Sequence, residues 1–81
     1  MTGPGAKDSR GQLQLDAVEL RQRLATVAIA IACTEDQVAE TLERMALVLP
    51  ANAVRLRAHA QQARQNATLE RSRAARFSVP A

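Results

Sequence analysis

Few residues of this chain are of types that could do chemistry: one histidine, one cysteine, and two groups of charged side chains. A transition-metal site needs three or four nitrogen and sulfur ligands converging on one point. His59 and Cys33 are each the only one of their kind. No metal is therefore expected, and His59 reads as a helix-flank residue. Cys33 cannot close an internal disulfide, which fits a reducing compartment. It ends an apolar run and reads as a buried small hydrophobe; the alternative is a reactive thiol, or a disulfide across a dimer axis.

Four carboxylates, Glu35, Asp36, Glu40 and Glu43, lie close together in sequence. Carboxylates buried as a pair can perform acid–base chemistry. These fall outside the apolar periodicity and beside Arg44, so a solvated, salt-bridged face is expected. Arg57, Arg64 and Arg71 recur every seven residues and should pair with them. Arg55, Arg73 and Arg76 point more outward and are the residues that could contact an anion or nucleic-acid phosphate. Base stacking would need aromatic side chains, and the chain has one Phe and no Trp or Tyr. Neither a catalytic constellation nor a cofactor motif can be read, so no enzyme and no cofactor is expected.

The elements that carry these side chains are helices. Residues 13–49 contain no Gly or Pro. Leu13, Leu20, Val27, Thr34, Thr41 and Val48 recur at seven residues, and Ala17, Leu24, Ile31, Val38 and Met45 do so four residues later. This alternation marks the seam of a helix packing on other helices. Val27, Ile29 and Ile31 alternate with Ala as a strand would, but no turn residue brackets them. Thr34 to Gln37 matches a capping box, so a break there is the alternative to one long helix. Asp16 and Glu19 are read in its opening turns, at the positive end of the helix dipole.

Pro50 ends the first helix, and Asn52 is a candidate N-cap for the next. A second helix is expected over 53–77, with a seam of Ala53, Leu56, Ala60, Ala63, Ala67, Glu70, Ala74 and Phe77. Glu70 within it reads as a polar layer with Thr34 or as an open bundle end. A short connection makes the helices antiparallel neighbours, with Met45 near Leu56, Val38 near Ala63 and Leu24 near Phe77. Residues 1–12 are expected to be a disordered tail, and 78–81 a C-terminal tail.

The fold class is thus all-α: an antiparallel two-helix hairpin over 13–77 that dimerises into a four-helix bundle. The run from Leu24 to Cys33 is apolar nearly all round, and one partner helix cannot cover it. Leu20, Leu24, Val27, Ile31, Val38, Leu42 and Met45 are the residues expected to bury on self-association. Net charge is +3, acidic over the first helix and basic over the second. No stretch approaches the ~20 apolar residues of a membrane span, and residues 1–12 hold no signal-peptide apolar run. A cytoplasmic location without membrane contact follows. The expected function is a small dimeric interaction module meeting a protein partner; the alternative is a nucleic-acid-associated protein using Arg55, Arg73 and Arg76 with Lys7 and Arg10 of the tail.

The segment from Val38 through Ala46 (VAETLERMA), Pro50, and the segment from Val54 through Ala60 (VRLRAHA) resemble small uncharacterised proteins of actinobacteria. That resemblance covers roughly residues 34–76. It implies a helical hairpin and brings no site residues with it.

Overall fold

A computed structural model describes residues 3–78, with the side chains of residue 11 and of residues 16–78. Helix α1 spans Gly3–Val48, a 3₁₀ turn spans Pro50–Asn52, and helix α2 spans Ala53–Ser78. The two helices pack side by side as a hairpin, and no strand occurs among the described residues. Val27 to Ile31 is helical, and α1 passes through Thr34 without a break. Without a turn on either side, the alternating Val and Ile have no neighbouring strand to pair with, whereas the helix satisfies its own backbone.

The first helix begins at Gly3, before the expected start at Leu13. Pro4 falls in its first turn, where the missing N–H is one that no helical carbonyl would have accepted. Asp16 and Glu19 consequently lie inside the helix and not at its positive end. Residues 1–2 and 79–81 of the two expected tails lie outside the described residues.

The turn follows from Pro50. Leu49 still donates its N–H to the Met45 carbonyl at 2.9 Å. Its φ of −124° and ψ of 73° have left the helix, because proline's ring excludes the α conformation from the residue before it. Asn52 then donates to the Leu49 carbonyl at 3.0 Å, and Ala53 donates to that of Pro50. Asn52 therefore sits within a turn that runs straight into α2, in place of the N-cap role expected for it.

The seam between the helices is the main departure from expectation. On α2 it is the expected set: Ala53, Ala60, Ala63, Ala67 and Ala74 are buried, and Leu56, Glu70 and Phe77 are half-buried. On α1 it is Ala25, Ala28, Ala32, Ala39 and Ala46, with Leu42 half-buried among them. This set stands one residue on from Leu24, Ile31, Val38 and Met45, which is about 100° round the helix. Accordingly Ala39 meets Ala60 and Ala63, where Val38 was expected, and Phe77 packs on Ala25 and Ala28, where Leu24 was expected. The cause is steric. A seam of alanine on α2 reaches its best dispersion contact when the facing residues are also small, so the alanine row of α1 turns inward and the large row turns aside.

All ten buried residues among those described are alanine. Ala32, Ala39 and Ala67 are fully enclosed. Enlarging one of them forces the helices apart, and overpacking of this kind costs about 1–3 kcal/mol. Ala67→Leu is expected to lower the melting temperature by several degrees in a circular-dichroism melt. Ala30→Leu, on the exposed side of α1, should leave it nearly unchanged.

Candidate interaction surface

Turning the alanine row inward leaves the large apolar row outside. Leu20 is 58% exposed and Val27 54%, and Leu24, Ile31, Val38 and Met45 are each more than a third exposed. Together they form one stripe along α1. Leu42, expected on the same surface, is half-buried: it packs against Ala39, Ala60 and Ala63 and also lines a shallow recess with Thr34, Val38 and Thr41.

Two threonines interrupt the stripe, and both are satisfied within their own helix. Thr34 Oγ1 donates to the Ala30 carbonyl at 3.1 Å, and Thr41 Oγ1 to the Gln37 carbonyl at 3.0 Å. Neither therefore leaves an unmet hydroxyl donor in the stripe. Near the turn the stripe ends in a recess of about 250 Å³ lined by Met45, Leu49, Asn52, Arg55, Leu56 and His59. His59 belongs to this recess, and among the described residues no group of three metal-ligating side chains converges.

The charged side chains occupy the opposite edge of the hairpin. Asp36 and Glu43 flank the alanine seam on α1, and Arg64 and Arg71 face them from α2. Arg64 pairs with Glu43 and reaches Asp36 at 3.9 Å, and Arg71 pairs with Asp36. The Arg64 guanidinium is held above its ordinary pKa mainly by its hydrogen bond to Glu43, and that of Arg71 mainly by its hydrogen bond to Asp36. Two of the three shoulder arginines thus pair with carboxylates of the first helix. Arg57 shares a recess with Glu40 and Glu43, but no ion pair joins it to them. Glu40 pairs along its own helix with Arg44 at 3.8 Å.

The outward arginines divide. Arg73 donates to Glu70 at 2.8 Å and covers it, while Arg55 and Arg76 form no ion pair among the described residues. Glu70, at a seam position, takes its partner from its own helix, and Thr34 is bonded to Ala30, so no polar layer joins them. Cys33 is exposed, not buried as expected: the apolar run it ends turns only Ala25, Ala28 and Ala32 towards α2. Periodicity alone missed Ala25, Ala32, Ala39 and Ala46. The signal that could have found them is the matching row of Ala53, Ala60, Ala67 and Ala74, also one every seventh residue.

No family model, no curated protein and no solved structure matches this chain. Among the described residues no helix is long and apolar enough to cross a membrane.

The interhelical ion pairs are half-exposed and should contribute little. Arg64→Gln or Arg71→Gln is expected to lower the melting temperature only slightly, by an amount that shrinks in 1 M salt. Arg76→Gln should leave the melting temperature unchanged under both conditions.

Proposed function

We propose that this protein is a non-enzymatic, self-associating helical module that presents a composite surface to a protein partner. The uncovered stripe of Leu20, Leu24, Val27, Ile31, Val38 and Met45 carries the reading. A contiguous apolar surface of this length is the usual mark of an association site.

The arrangement of the elements supports it: the two helices form a single layer with nothing over the stripe among the described residues. A helix with apolar residues on two sides needs a second layer over it. Two hairpins supply that layer as a four-helix bundle.

A nucleic-acid role has less to draw on. Arg64, Arg71 and Arg73 are paired with carboxylates, which leaves Arg55 and Arg57 at one end of α2 and Arg76 at the other.

Sedimentation velocity at micromolar concentration is expected to give a dimer of the 8.8 kDa chain. Ile31→Asp places a charge in the stripe without touching the alanine seam and should dissociate or unfold it. A folded, compact wild-type monomer would refute the proposal. A pull-down from the source cell should retain a protein partner after nuclease treatment; recovery of nucleic acid alone would favour the other role.

A further inference from the structure

The occupant of the stripe, and its direction, can be taken a step further. We infer that a second copy of this chain covers it in antiparallel alignment, with the two-fold axis crossing α1 between Ala32 and Cys33. This rests on the self-association reading above.

The alignment comes from the spacing of the stripe. In antiparallel packing, a residue of one heptad row meets a residue of the other row across the axis. A two-fold between positions 32 and 33 sets Leu20 against the partner's Met45, Leu24 against the partner's Thr41, Val27 against the partner's Val38, and Ile31 against the partner's Thr34. Each layer occurs twice, and every large residue of the stripe has a counterpart. Each threonine meets an aliphatic side chain, which its internally bonded hydroxyl permits, since no donor is left unmet in the apolar layer. A parallel alignment would instead stack Thr34 on its own copy and Thr41 on its own copy, leaving two thin layers within the stripe.

Two further observations favour the same direction. Phe77 packs on Ala25 and Ala28, so α2 ends there and Leu20 projects beyond it. Antiparallel alignment brings the projecting Leu20 beside Met45 of the partner subunit, at the rim of the turn recess formed by Met45, Leu49, Leu56 and His59. It also carries the exposed Arg55 of each copy to opposite ends of the assembly. Parallel alignment sets Arg55, which lines the recess at the end of the stripe, level with its own copy, and like charges facing one another across an interface oppose association. Antiparallel α1 helices also oppose their dipoles.

Spin labels decide the direction. In a Cys33→Ser background, Leu47→Cys places the label on the outer side of α1, 76% exposed and away from the stripe. Antiparallel alignment separates the two labels by 29 residues of helix, about 44 Å; parallel alignment holds them within roughly 25 Å. Cross-linking gives a second reading in the same background. Thr41→Cys should not oxidise to a disulfide with itself, its two copies lying about 26 Å apart, but should cross-link when mixed with Leu24→Cys. A dimer with the short label distance and a disulfide between two copies of the Thr41→Cys chain overturns the alignment while leaving self-association intact. A monomer in sedimentation overturns both.

Discussion

Close contact between two rows of alanine is the constraint on which the rest of this structure depends. Ala25, Ala32, Ala39 and Ala46 on α1 face Ala53, Ala60, Ala67 and Ala74 on α2, and most are nearly or wholly enclosed. Alanine loses no side-chain entropy on burial and is the best helix former, so the same residues favour the helices and join them. Their small side chains also bury little apolar surface. The hairpin is thus well specified in geometry and poor in the large buried side chains that stabilise most small domains.

The stripe is the counterpart of that seam. Once the α2 surface is alanine, Leu24, Ile31, Val38 and Met45 cannot face it without forcing the helices apart. They are displaced about 100° round the axis and left as one continuous exposed row. The ion pairs of Asp36, Glu43, Arg64 and Arg71 then close the opposite edge of the seam. Their energetic contribution is small. The molecule becomes two-sided, with a charged edge on one flank and an apolar stripe on the other.

Much of this was legible in the chain. The absence of Gly and Pro between positions 13 and 49, the single Pro50, and the unbroken seam of α2 determined two helices, one turn and their antiparallel order. The spacing of Arg64 and Arg71 against the acidic residues of α1 determined that those arginines would pair with the first helix. These features depend on local backbone chemistry and on heptad spacing, both of which are properties of sequence.

Tertiary structure alone decided which row of α1 faces α2. Two rows one residue apart each kept the heptad, one large and one small, and hydrophobicity favoured the large row. The choice fell to the small row because packing depends on the fit of both surfaces, and α2 offered alanine. That one-residue shift put Ala32, Ala39 and Ala46 where Ile31, Val38 and Met45 were expected and left the large residues outside. Periodicity locates the faces of a helix, but only the partner's shape determines which face is buried.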